Sequence, residues 1–238
     1  MNTESQALTL ASCLGQSLAL IGRRPVLWLM YMLFLSVILV SGCISLALGI
    51  FLSVTSVLIG VSIAAYTDQA AGQEKGLFGF IDKHLALAMS LAVLIVFSWL
   101  VFRVVFNLYA GEPEKILLFF FEWNFTDANY ADKTPRQLIA WLYSSAIITL
   151  IFLILMMNSF ASWFSYPLMA FKKMDWVQAK QFGRQAALEH NSGLMRLLIF
   201  ILMLVFLGTG ILPMLTPLIY VWVSAMIYVS YKIVIGVD

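Results

Sequence analysis

Residues 25–66 read PVLWLMYMLFLSVILVSGCISLALGIFLSVTSVLIGVSIAAY, 42 consecutive positions without a charged side chain. A transmembrane helix needs about 20 such residues, and one unbroken helix of this length would measure roughly 63 Å, about two bilayer cores. The stretch therefore reads as two spans, about 25–41 and 45–66, joined by a turn near Ser41-Gly42-Cys43.

Further stretches have the same character. Residues 85–108 form a third span, with Arg103 toward its far end, and 138–158 a fourth. The apolar run continues to Phe171, with a kink expected at Pro167. Residues 194–232 are interrupted by Gly208, Gly210, Pro213 and Pro217, so they read as spans 194–210 and 213–232, with one continuous bent helix as the competing reading. Composition agrees. Of 238 residues, 62% are hydrophobic and 11% charged, at a mean hydropathy of +0.95. A soluble domain is nearer half apolar and a quarter charged. A net charge of +2 leaves no basic face for nucleic acid. The expectation is an all-α, polytopic transmembrane bundle of about six spans, forming one membrane domain over 1–238.

Cations orient such a bundle, because cytoplasmic loops collect them. With both termini inside, ten lie on the cytoplasmic side: Arg23, Arg24, Lys75, Lys83, Lys172, Lys173, Lys180, Arg184, Arg196 and Lys232. The outer loop, 109–137, holds three, Lys115, Lys133 and Arg136, against five acids. Residues 1–22 carry Glu4 and many polar positions ahead of the Arg pair, which is not the pattern of a cleavable signal peptide. Cys13 and Cys43 then fall on opposite sides and read as small apolar fillers rather than a disulfide.

Three segments precede spans without crossing, the middle one at Phe78-Gly79 before the third span, and the other two read as amphipathic cytoplasmic surface helices. In the first, Ala7, Leu10, Ala11, Leu14, Leu18 and Ile21 share a face, Thr3 with Gln6 fits a capping box, and Arg23 and Arg24 suit the C-terminal end before Pro25. This reads as an interfacial helix on the inner leaflet. In the second, 175–190, Trp176, Ala179, Phe182, Gly183 and Ala186 form the apolar stripe, and Asp175 with Gln178 fits a capping box. Asn191-Ser192-Gly193 is expected to end it. Arg23, Arg24, Lys173, Lys180 and Arg184 are the candidate membrane-surface residues, each worth about 1 kcal/mol near anionic headgroups. Setting Gly15 beside Gly183 pairs Pro25 with Gly193, each followed by a two-span hairpin. A degenerate middle unit would start at Phe78-Gly79, giving three same-direction repeats.

The stretch Gly15-Gln16-Ser17-Leu18-Ala19-Leu20-Ile21-Gly22-Arg23-Arg24-Pro25-Val26-Leu27-Trp28 resembles the opening of the YciC-like bacterial inner-membrane proteins. That family is related to the membrane domain of glycerophosphoryl diester phosphodiesterases. Phe164-Ser165-Tyr166-Pro167-Leu168 and the helix from Trp176 and Ala179 onward are similar to theirs as well. The resemblance implies a six-helix fold in the bacterial inner membrane and brings no activity with it, since the soluble diesterase domain is absent.

Chemistry is sparse. The expected spans contain no Asp or Glu, which a proton- or sodium-coupled transporter usually needs. His84 and His190 have no companion ligands at metal spacing, and no phosphate loop, nucleophile elbow or catalytic pair stands out. No enzyme activity, cofactor or metal is therefore expected. Ser45, Gly49 and Ser53, then Ser56, Gly60 and Ala64, recur at helical spacing and point to close packing of the second span. Asn158, Ser162 and Ser165 form a polar stripe which, with Arg103, is a candidate polar path; the alternative is bonding to a neighbouring helix. Ile116–Phe121 followed by Glu122-Trp123 is too short to cross a bilayer and too apolar for water. It either dips into the outer leaflet or docks a membrane or periplasmic partner through Phe119, Phe120 and Trp123. The expected function is a non-catalytic membrane protein acting through lipid or protein contacts: an assembly factor, complex subunit, envelope-maintenance or immunity protein. The alternative is a transporter or channel for a small or amphiphilic solute.

Overall fold

The computed structural model describes residues 8–69, 76–113, 115–116, 134–159, 162–210 and 212–236. They form nine α-helices and no strand: α1 (Leu10–Arg23), α2 (Pro25–Ile38), α3 (Leu46–Gln69), α4 (Leu77–Tyr109), α5 (Pro135–Ser159), α6 (Ser165–Lys172), α7 (Trp176–Glu189), α8 (Asn191–Gly210) and α9 (Thr216–Ile235). Short 3-10 turns over Leu39–Cys43 and Pro213–Leu215 close the first and last hairpins. Among the described residues six segments are long and apolar enough to cross a membrane: Pro25–Cys43, Leu46–Gln69, Leu77–Tyr109, Pro135–Asn158, Asn191–Gly208 and Pro213–Ile235. The chain is thus an all-α bundle with the six-span architecture expected, and 194–232 is two spans rather than one bent helix. The start of the first span and the end of the last meet at one face of the bundle, where Arg23 and Lys232 both pair with Asp68. That face is called the basic end below.

The centre of the bundle is α3. Gly49, Ser53, Ser56, Gly60 and Ala64 are all buried, as their spacing implied. Three consecutive backbone carbonyls at mid-helix each receive a hydroxyl from a different element. Tyr31 of α2 donates to Ser56 O. Ser224 of α9 lies 3.1 Å from Val57 O, and Tyr166 of α6 donates to Leu58 O at 3.0 Å. A helix carbonyl has a second lone pair to offer, and the side chain one turn on normally shields it. Gly60 is one turn on from Ser56. A Cβ there would collide with both the Ser224 side chain and the Tyr31 hydroxyl. The missing side chain is what lets α2 and α9 reach the backbone of α3. Gly42 and Gly49 do the same at the far end, where their backbones meet beside Ser145 of α5. Further hydroxyls tie the outer helices together, with Tyr220 donating to Ala146 O at 2.6 Å and Tyr143 to Ser36 O at 3.0 Å.

Several elements differ from the sequence reading. The third span begins at Leu77, not 85, and its 33 residues make a helix roughly 50 Å long. Asp82 and Lys83 do not stop it, because both are exposed at the basic end while Leu77, Phe80 and Ile81 pack inward. The Phe78-Gly79 segment is therefore the start of α4, not a separate surface helix. Pro167 does not kink the fourth span either. The chain breaks before Ser165 and Pro167 sits in the first turn of the new helix α6, where a missing N–H costs nothing. Asn191–Gly193 open α8 rather than cap α7. The capping pair Thr3 and Gln6 lies outside the described residues. The cap of α1 is Thr9, whose hydroxyl accepts from Ser12 N at 3.2 Å. The first helix also rests on protein rather than on lipid alone. Cys13, Ser17 and Leu20 are buried against the bundle, while Ala11 and Leu18 face outward. Ser17 tolerates burial by donating to Cys13 O at 2.7 Å. Cys13 and Cys43 are both buried and free, and burial pushes the Cys13 thiol up to about 12.

The α3 contacts predict an order of mutational costs. Gly60→Leu overpacks the point where α2 and α9 converge and should cost about 1–3 kcal/mol. Tyr31→Phe or Ser224→Ala removes one interhelical hydrogen bond and should cost about 0.6 kcal/mol. Unfolding of the purified protein in mild detergent checks the order; equal costs for all three would contradict it.

Candidate functional site

Packing in the bundle is uneven. In α3, 72% of the apolar stretch is buried; in α4 the figure is 11%. The long helix α4 leans along α3 and meets the α5–α6 side at isolated points. The rings of Trp99 and Phe152 touch edge-on at 4.4 Å, and His84 Nε2 lies 3.2 Å from Ala170 O. Between those points the helices stand apart around a cavity of about 750 Å³. One wall is Leu91, Leu94, Ile95, Phe97, Ser98, Val101 and Phe102 of α4. The other is Phe152, Leu153, Met156 and Met157 of α5, with Leu58 of α3 behind. Ser162, Ser165, Tyr166 and Met169 form the floor and Trp176 of α7 the rim at the basic end. Leu94, Phe97 and Phe102 are all more than half exposed, so the cavity opens sideways between α4 and α5.

The floor is firmly held. Trp163 Nε1 donates to Ser230 Oγ of α9 at 2.8 Å, and Tyr166 is fixed to Leu58 and Ser62 of α3. Ser162 and Ser165 build the turn into α6, with Ser165 Oγ accepting from Ser162 N at 2.9 Å. These hydroxyls are engaged in structure, and among the described residues no histidine, acid or cation lines the cavity. Burial pushes the Tyr166 hydroxyl up to about 12, out of range for a base near neutral pH. The lining suits an apolar chain. Three methionines give it the adaptability of unbranched side chains.

A smaller pocket of about 270 Å³ adjoins it at the basic end. It is lined by Asn158, Ser162, Trp163, Lys180, Arg184, Ala187, Leu188, Asn191, Leu194, Met195 and Leu198, where α5, α7 and α8 converge. The helix α7 is placed there by its small-residue stripe. Ala179, Gly183 and Ala186 are buried, and Gly183 presses on the Ser162 side chain. Asp175 caps α7 as expected, accepting from Gln178 N at 2.7 Å.

Of the residues singled out in the sequence, Asn158, Ser162, Lys180 and Arg184 come together in this pocket, and Ser162 and Ser165 line the larger cavity. Arg103 lines neither. Lys173 sits in the turn between α6 and α7 with a left-handed backbone, φ 55°. Arg23 and Arg24 have partners on the protein: Arg23, itself exposed, pairs with Asp68 at 2.8 Å, and the Arg24 guanidinium lies 5.1 Å from the centre of the Tyr66 ring. Phe119, Phe120 and Trp123 lie outside the described residues. Among the described residues there is no group of three or more His, Cys, Asp or Glu able to hold a metal.

The sequence reading missed Asp68. It ended the second span at Tyr66 and placed no acid within a span, whereas α3 continues through Asp68 to Gln69. The carboxylate is largely buried and takes three partners: Arg23 at 2.8 Å, Lys232 at 2.5 Å and the Tyr228 hydroxyl at 3.0 Å. The cluster joins the start of the first span to the ends of the second and the last. Comparison with protein-family models, with curated proteins and with solved structures finds no match.

Removing the shared acid strands two cations at once. Asp68→Asn should lower stability in detergent by about 1.5–3 kcal/mol, the range for hydrogen bonds to charged groups. Arg23→Gln should cost less, because its side chain is 57% exposed and its attraction is screened. Chemical or thermal unfolding of the three proteins checks this; a larger loss for Arg23→Gln would contradict the central position of Asp68.

Proposed function

We propose that this chain is a non-catalytic, multi-pass protein of the bacterial inner membrane, with both termini cytoplasmic, that acts by holding a lipid chain between α4 and α5. The observation that carries this reading is the lateral cavity. An apolar hollow of this volume is in the range of ligand sites. It is shaped by a fixed floor and opens to where acyl chains lie. Left empty, it would forfeit the dispersion contacts of its lining. Its hydroxyls are committed to helix packing, which favours binding over chemistry. The excess of cations at the basic end supports the orientation, and the YciC-like stretches at Gly15–Trp28 and Phe164–Leu168 support the compartment.

The transporter reading draws on the Gly/Pro-rich stretch, Pro167 and the polar stripe; of these, residues 212–217 lie at the turn between α8 and α9, closed by Thr216 Oγ1 donating to Pro213 O at 2.7 Å, so that part favours the lipid reading. The partner reading of 116–123 stands beside the lipid reading, as a second contact through Phe119, Phe120 and Trp123.

Filling the cavity tests the proposal. Ser98→Trp and Met156→Trp each put an indole into the hollow. Both should strip most of the tightly held phospholipid from the detergent-purified protein while leaving its melting temperature close to that of the parent. Val37→Trp, on an open face of α2, should leave bound lipid unchanged. Quantifying co-purified phospholipid decides it: full retention by both cavity variants would refute the reading.

A further inference from the structure

The smaller pocket differs in character from the cavity beside it. Lys180 and Arg184 stand one turn apart on α7 and both line it, and neither has an ion-pair partner among the described residues. Asn158 and Asn191 add side-chain amides from α5 and α8. Asn191 is also the first residue of α8, a 20-residue helix, so the pocket lies at a helix start whose unpaired N–H groups carry roughly half a positive charge. Two cations, two amides and a helix N-terminus around about 270 Å³ make an anion site, and among the described residues no acid lines it.

Its position makes the chemistry more specific. Ser162 lines both the anion pocket and the apolar cavity, so one wall separates them. Along α7, Trp176 borders the cavity, and Lys180 and Arg184 follow at one and two further turns on the same flank. The helix therefore presents an aromatic rim and then two cations, in the order in which a phospholipid presents chain and phosphate. We infer that the pocket binds the anionic phosphodiester headgroup of a lipid whose acyl chain occupies the α4–α5 cavity, the cations at the basic end selecting anionic lipids over zwitterionic ones. This inference rests on the lipid-holding reading above and adds the headgroup to it.

Native mass spectrometry of the full-length protein, titrated with phosphatidylglycerol and with phosphatidylcholine of the same chains, tests it. The parent protein should retain phosphatidylglycerol about tenfold more tightly, the equivalent of one charge-assisted hydrogen bond. The double variant Lys180→Gln/Arg184→Gln should bring phosphatidylglycerol down to the level of phosphatidylcholine without weakening the latter. Lys173→Gln, a cation outside the pocket, should keep the preference. Equal retention of the two lipids by the parent, or a preference that survives the double variant, overturns the headgroup assignment and leaves the chain reading intact. Retention of neither lipid by the parent overturns both. Displacement of phosphatidylglycerol by millimolar glycerol phosphate would assign the pocket to a soluble phosphate ester and overturn the lipid source.

Discussion

Three adjacent carbonyls in the middle of α3, those of Ser56, Val57 and Leu58, hold the bundle in its arrangement. Inside a bilayer there is no hydrophobic drive between apolar helices, so association depends on close packing and interhelical hydrogen bonds. Here both act at one place. Gly60 uncovers the backbone, and Tyr31, Ser224 and Tyr166 use it. Once α2, α9 and α6 are fixed to this part of α3, α4 is left to pack along the remaining side. Tyr166 also fixes the floor on which the lateral cavity stands. The hollow between α4 and α5 is thus a consequence of what α3 grips.

Most of the architecture was legible in the sequence because bilayer thickness sets span length. The first four spans and the hairpin at Ser41–Cys43 follow from that constraint, while the break between the last two spans needs Gly208, Gly210, Pro213 and Pro217 as well, with one bent helix competing. Capping chemistry supplied the start of α7 at Asp175. It would have supplied the start of α5 too. Thr134 and Gln137 form a capping box around Pro135, with Gln137 Oε1 accepting from Thr134 N at 2.9 Å, though the reading began that span at 138.

What the sequence hid has a common physical cause. Apolar residues face lipid and protein alike in a membrane, so periodicity cannot say which side of a span is buried. The smallness of Gly49 and Gly60 revealed α3, but nothing in α4 marked it as loosely packed. Charges misled where a helix carries them past the apolar zone. Asp82 and Lys83 seemed to delay α4, and Asp68 seemed to lie beyond α3, because a hydropathy window stops at a charge and a helix does not. The candidate site was half visible. Asn158, Ser162, Lys180 and Arg184 were singled out separately, as a polar stripe and a membrane surface, and only the fold of 162–190 brings them into one pocket. Arg23 shows the converse: it reads like Lys180 in sequence but is engaged by Asp68.

The lipid chain proposed between α4 and α5 can be sought in the membrane itself. The most direct measurement is photocrosslinking in native membranes with a phospholipid carrying a diazirine on its acyl chain, followed by mapping of the adducts by peptide mass spectrometry. The account predicts adducts concentrated on the facing walls, Leu91–Phe102 of α4 and Phe152–Met157 of α5. Adducts spread evenly over every lipid-exposed face, with α2 and α8 labelled as strongly as those two walls, would contradict it.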